Sequence, residues 1–321
     1  MLVDDREEAA DWSAPLAGVQ RELISAHLLL LSRLLRRSAM VDYAGLDPGN
    51  LMERRIIFTL SRIGEGRVSE LSALLGNDIA QVSRALSTMK RKELAERQRQ
   101  RDPYSLTDAG RELGRLMDKV AVRRERELAH GMEPLQMFEL AGMLDNLRDK
   151  AAVLLAEEMA GAREAEDADA EGPPRTEIAS RLQPSIAALA TTILRSATLA
   201  FKRLTGLSQY EWRILANLAY RPSIPFMDLV THIGSDKAQV SRALNPLIEA
   251  GLLRRISGER GEPALLEMTE KGWDIHGVMQ RDALRRNAVL GAGFTQTQRL
   301  RLKSYLELLI VNATTMARRA D

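Results

Sequence analysis

The sequence predicts a mainly α-helical fold with small β elements, a single module written twice. Three observations carry this reading. The chain has 321 residues, about twice the ~150 of a common domain. The heptapeptide Ala-Gln-Val-Ser-Arg-Ala-Leu stands at 80–86 and again at 238–244. Apolar residues recur at helical spacing in both halves, interrupted in each by one short strand-like pair.

The repeat extends well beyond the heptapeptide. Residues 55–94 align without a gap on 213–252, pairing Ile56 with Ile214, Leu60 with Leu218, Leu71 with Leu229, and Asp78 with Asp236. The register then slips by four residues, so that Thr107-Asp-Ala-Gly110 meets Thr269-Glu-Lys-Gly272. Such a slip marks a surface loop, where length changes cost least. Between the copies runs an acidic stretch, poor in large apolar residues, that closes on Pro173-Pro174 and reads as a solvated linker. The expected organisation is a first domain at 1–160, a linker at 161–177 and a second domain at 178–321.

Within the first copy, Leu23, Ile24, Leu28, Leu31, Leu34 and Leu35 form the stripe of a long opening helix that ends near Gly45. In the second copy, Ile186, Leu189, Ile193 and Leu199 do the same ahead of Gly206. Short helices follow at 51–62 and 208–220, then at 68–75 and 226–233, the last two closed by Gly76 and Gly234. Asn77-Asp78 and Ser235-Asp236 supply acceptors to cap the next helix, giving helix, tight turn, helix. After it, 252–257 and 264–269 read as strands around Gly258-Glu-Arg-Gly261, a β-wing; the first copy has a shorter version ending at 104–107. Two helices close each copy, at 108–130 with 134–159, and at 270–290 with 295–316. Pro134 suits a first helical turn.

Composition bounds the function. Hydrophobic residues at 45% and charged residues at 28% exclude global disorder. Absence of cysteine excludes disulfides, thiolate catalysis and cysteine-ligated zinc. No uncharged stretch approaches the ~20 residues of a membrane helix, and the acidic first dozen residues do not suit a signal peptide, so a cytoplasmic protein without a membrane partner is expected. The net charge is +2, but seven acids and one base lie from Glu157 to Glu171 and five acids and one base before Trp12, leaving 44 bases against 32 acids elsewhere. That body leans toward polyanions. His27, His130, His232 and His276 lack metal-ligand spacing, and no phosphate-binding loop, nucleophile elbow or carboxylate pair stands out. Neither enzyme activity, metal nor cofactor is expected.

On a helix, Val82, Ala85, Leu86 and Met89 share one face, as do Val240, Ala243, Leu244 and Leu247. Gln81, Ser83, Arg84 and Thr88 project elsewhere. Packing alone accounts for a repeated apolar half. The polar residues are harder to explain that way, because their neighbours drifted: Ile79 faces Lys237, Ser87 faces Asn245 and Lys90 faces Ile248. A shared external ligand explains Gln81, Ser83 and Arg84, with Gln239, Ser241 and Arg242, since Gln and Arg pair bidentately with adenine and guanine edges and a helix fits the ~12 Å major groove. From Arg84 to Arg101 there are seven bases against two acids, including Lys90, Arg97 and Arg99. The candidate double-stranded-DNA contacts are these residues with Thr88, Lys237, Arg254 and Arg260, the last at a wing tip suited to a minor groove.

The opening helix, Trp212-Arg-Ile-Leu215, the Leu-Gly-x-Asp-x-x-x-Val-Ser-Arg-x-Leu pattern at 75–86, Gly251-Leu-Leu-Arg-Arg255 and Thr-(Asp/Glu)-x-Gly occur in order. In that order they resemble the multiple-antibiotic-resistance regulator (MarR) family. The resemblance implies two winged helix-turn-helix domains with a helical dimerisation-like region in pseudo-twofold relation, a dimer fused into one chain. It further implies a regulator, a repressor, that releases DNA when a small aromatic or phenolic effector enters a cleft among the opening helix, the second helix and the first helix after the wing. His27, Tyr43 and Arg54 in one copy, and Tyr210, Trp212, Arg213 and Trp273 in the other, are the candidates there, with core or capping roles as the alternative. The sequence departs from the pattern at Pro246, expected to kink or end the second recognition helix, in the shorter first wing, and at Arg54 in place of Trp212. The competing reading is a protein-interaction scaffold without DNA binding.

Overall fold

The computed structural model describes residues 16, 18–46, 50–75, 77–99, 102–163, 181–221, 223–233, 237–257 and 263–320. The first copy runs α1 (Ile24–Asp42), α2 (Leu51–Ile63), β1 (Glu65–Gly66), α3 (Val68–Leu75), α4 (Ile79–Arg91), β2 (Ala95–Glu96), β3 (Tyr104–Leu106), α5 (Asp108–Leu128) and α6 (Pro134–Arg163). The second repeats that order: α7 (Leu182–Thr205), α8 (Gln209–Tyr220), β4 (Ser223–Pro225), α9 (Phe226–Ile233), α10 (Lys237–Glu249), β5 (Leu253–Ile256), β6 (Leu265–Met268), α11 (Glu270–Leu290) and α12 (Gln296–Ala317). The fold is thus mainly helical with small antiparallel sheets. The expected linker lies mostly outside the described residues, as do Gly76, Gly234 and the Ser235-Asp236 cap.

Local chemistry explains the helix ends. Asn50 accepts from the backbone N–H groups of Met52 and Glu53 at 2.9 and 3.0 Å, and Ser208 with Glu211 forms a capping box. The opening helix stops at Asp42, three residues earlier than its glycine suggests, and a 3-10 turn at Ala44–Leu46 follows. α10 does not end at Pro246. It continues to Glu249, the same thirteen residues as α4, because Pro246 is exposed and gives up only one N–H near the helix end.

Each wing is a three-stranded antiparallel sheet, ordered β1-β3-β2 and β4-β6-β5. Two-residue β1 and three-residue β4 are strands the pattern missed. Behind each wing the repeated Thr-x-x-Gly makes one joint. Thr107 and Thr269 cap α5 and α11 through the N–H groups of Gly110 and Gly272 at 3.0 and 3.1 Å, and each hydroxyl donates to the backbone before the wing, to Glu93 and Gly251, at 2.6 Å. Each glycine lies against a carbonyl: a Cβ would stand 2.0 Å from the Leu94 oxygen at Gly110 and 2.2 Å from the Leu252 oxygen at Gly272. Only glycine allows that approach.

The chain forms two compact units, and each draws on both copies. One comprises the described parts of 33–138, 168–185 and 311–321; its core gathers Ile56, Ile57, Leu60, Leu86, Met89 and Met117. The other comprises the described parts of 1–32, 139–167 and 186–310, around Ile214, Leu218, Leu229, Val240, Leu244 and Leu266. A buried arginine stands in each. Arg124 pairs with Asp42 and donates to the Leu35 carbonyl and Ser38 hydroxyl at 2.9 and 3.0 Å. Arg286 pairs with Asp282 and Glu158 at 2.6 and 2.7 Å and donates to Ser196 at 2.6 Å. Arg124 and Arg286 are repeat equivalents, as are Ser38 and Ser196, while the acids differ. Burial of such charges is tolerated only with this degree of pairing.

Helix α7 is long and apolar enough to cross a membrane by length and composition. Its Ile186, Leu189, Ala190, Ser196 and Ala200 are buried against protein along one face, while Ala187, Ala188, Thr191 and Arg195 are exposed.

Candidate nucleic-acid interface

The helix-turn-helix is fixed from below by two equivalent arginines. Arg55 donates to the Leu75 carbonyl at 2.6 Å and to Asn77 at 2.7 Å, closing the end of α3; Arg213 donates to the Ile233 carbonyl at 2.7 Å at the end of α9. Burial lowers both guanidinium pKa values. Asp78 then caps α4 by accepting from the Ala80 N–H at 2.8 Å.

With Val82, Ala85, Leu86 and Met89 buried, α4 presents Gln81, Ser83, Arg84 and Lys90 to solvent, and Thr88 half-buried. On α10, Val240, Leu244 and Leu247 are buried, Lys237, Gln239 and Arg242 are exposed, and Ser241 is half-buried. Neither Arg84 nor Arg242 forms an ion pair among the described residues. Their charge is available to a ligand.

The basic run divides into committed and uncommitted groups. The Lys92 ammonium bonds the buried Glu53 carboxylate at 3.0 Å, and Arg97 lies over the Tyr104 ring at 4.7 Å from its centroid. Arg99 is exposed, and Arg254 pairs with Glu267 at 3.2 Å across the second wing. Arg101 and Arg260 lie outside the described residues. Arg91 and Arg255, exposed in the same regions, are further cations beyond the expected contact set, Arg91 donating to the Thr88 hydroxyl at 3.2 Å. Their place in the basic run and in the Leu-Leu-Arg-Arg segment was the available clue.

The candidate effector residues fall into different settings. His27 is buried, its Nδ1 2.9 Å from the Leu23 carbonyl. Two guanidinium groups, of Arg54 and Arg124, stand 5.7 and 5.9 Å from the Tyr43 ring, and burial raises its pKa. The repeat equivalents of Tyr43 and Arg54 are Phe201 and Trp212, stacked at 4.8 Å. The Arg54 Nε and the Tyr210 hydroxyl are buried without a hydrogen-bond partner among the described residues. Arg213 serves as the α9 cap. Trp273 is exposed, edge-on to His276, whose pKa burial lowers.

A cavity of about 650 Å³ opens in the unit containing α11, lined by Glu157, Glu158, Arg203, Val278, Asp282 and Arg285 among others. It contains none of the sequence-nominated effector residues. Among the described residues no cluster of three or more His, Asp and Glu side chains is arranged to hold a metal ion.

The sequence profile described as MarR family matches residues 204–261. The matched segment spans α8, β4, α9, α10 and β5. A solved structure described as the PcaV transcriptional regulator from Streptomyces coelicolor aligns at 19% identity over 35% of this chain and 85% of its own, with a TM-score of 0.30. No curated protein sequence matches the chain.

Proposed function

We propose that the chain is a sequence-specific double-stranded-DNA-binding transcriptional regulator, with a MarR-like winged helix in each copy, acting as a single-chain pseudo-dimer. Each copy sets one recognition helix, α4 or α10, in one of two successive major grooves about 34 Å apart, so one chain covers an imperfect palindrome. One observation carries this reading. The identical heptapeptide buries its apolar half in both copies and leaves Arg84 and Arg242 exposed and free of ion pairs among the described residues. The MarR-family match over α8 to α10 and the mixture of both copies within each compact unit support it further. Repression relieved by a small aromatic or phenolic effector, and a cytoplasmic setting, complete the proposal.

A gel shift with random-sequence duplex tests it. Binding that weakens steeply with salt is expected; absence of any salt-sensitive binding favours the interaction scaffold.

A further inference from the structure

We propose that the two copies read unlike half-sites, so that the chain has a polarity on DNA, and that Ile79 and Lys237 write the difference. This rests on the DNA-binding reading above. The two recognition helices share Gln, Ser and Arg at equivalent, mostly exposed positions, yet their charge runs in opposite directions. α4 begins with Ile79, 57% exposed, and ends in exposed Lys90 and Arg91 with Lys92 behind them. α10 begins with exposed Lys237 and ends in Ile248, packed on the core, followed by exposed Glu249 and Ala250.

The first turn of a recognition helix is the part that meets base edges. There Ile79 offers only an apolar surface, which suits the thymine methyl group, while Lys237 offers an ammonium, which suits the guanine O6 and N7 acceptors. The far end of the helix lies toward the phosphates. Two exposed cations free of ion pairs among the described residues stand there in the first copy, Lys90 and Arg91, the latter also donating to the Thr88 hydroxyl at 3.2 Å; Lys92 is held by Glu53. In the second copy the equivalents of Lys90 and Arg91 are an isoleucine and an acid. Glu211, the counterpart of Glu53, instead accepts from the Ser208 N–H at 2.7 Å within the α8 capping box, so Ala250 leaves no buried acid unmatched. The first copy therefore holds the backbone harder and the second less so, around a base core that both read alike.

Selection of binding sites from a random duplex pool with the whole chain tests this. The expected sites are two half-sites with the same inner bases but thymine at the outer position of one arm and guanine at the other. Ile79→Lys should turn that thymine into guanine, a change of about tenfold in preference, and make the selected site symmetric there. The reciprocal Lys237→Ile should turn guanine into thymine. Replacing Lys90→Ile together with Arg91→Glu should lower the slope of log affinity against log salt by about 2 without altering the selected bases. Wild-type sites symmetric at that position, or base preferences indifferent to both single substitutions, overturn the inference while leaving DNA binding intact. Failure of the wild type to bind any duplex removes the reading beneath it, and the inference with it.

Discussion

Gly272→Ala probes the joint that holds the second wing to α11. The added Cβ would stand 2.2 Å from the Leu252 carbonyl oxygen, where ordinary contact begins near 3.4 Å, so helix and strand root must part by more than an ångström. The opposing atom is backbone and cannot swing aside. Such overpacking costs about 2 kcal/mol. The displacement also loosens two hydrogen bonds, from the Gly272 N–H to Thr269 and from the Thr269 N–H to the Leu252 carbonyl, both 3.1 Å, at about 1 kcal/mol each. Alanine's better helix propensity returns about 1 kcal/mol. The net expectation is a loss of about 3 kcal/mol. Gly142→Ala is the internal control: it lies in α6 of the same unit with nothing within 4 Å of its Cβ, so only the propensity gain of about 1 kcal/mol operates. Urea titration followed by circular dichroism reads both. If Gly272→Ala is as stable as the wild type, or gains like Gly142→Ala, the close approach is wrong.

Three further expectations follow from the same kind of reasoning. Glu93 has φ of +56° where its repeat counterpart Gly251 has +69°, so Glu93→Gly should stabilise by about 1 kcal/mol and Gly251→Glu should cost a similar amount; equal effects of the same sign would contradict this. Burial lowers the His276 pKa, so its contribution to stability is present above the ordinary value of 6.5 and is lost as pH falls below it; His276→Gln should show a shallower fall in Tm from about pH 7 to about pH 5.5, and an unchanged pH profile would count against it. Arg286→Met removes the buried one of several cations around two buried carboxylates, leaving Glu158 with Arg203 and Asp282 with Arg285, and should lower stability by about 2 kcal/mol in thermal unfolding, whereas an unchanged Tm would mean the cluster is not buried as described.

The periodic helices were legible, short as well as long, because each buries one stripe: α3, α9 and α11 span the residues their apolar spacing indicates. The strands β1 and β4 were not legible, since two or three residues hold no alternation, and their pairing with β3 and β6 is set by distant chain. That α10 runs on past Pro246 was not legible, because the residue's exposure and the short length of helix beyond it depend on packing. At the interface, the outward set on both helices followed from the heptapeptide. Commitment did not: nothing in the sequence ties Lys92 to Glu53, thirty-nine residues away, or Arg213 to the end of α9. The Ser38–Arg124 and Ser196–Arg286 pairs were written in the repeat, since serines and arginines both recur at equivalent positions, but a polar match outside the heptapeptide looks no different from chance until the helices are packed.

The account stands on two recognition helices of one polypeptide occupying the two arms of a single operator. Hydroxyl-radical footprinting of the whole chain on its selected duplex, with Arg84→Ala and Arg242→Ala alongside, tests this most directly. One chain per duplex should protect both arms, with Arg84→Ala losing protection over one and Arg242→Ala over the other. Protection of both arms that survives either substitution, or that requires two chains on one short duplex, would contradict it.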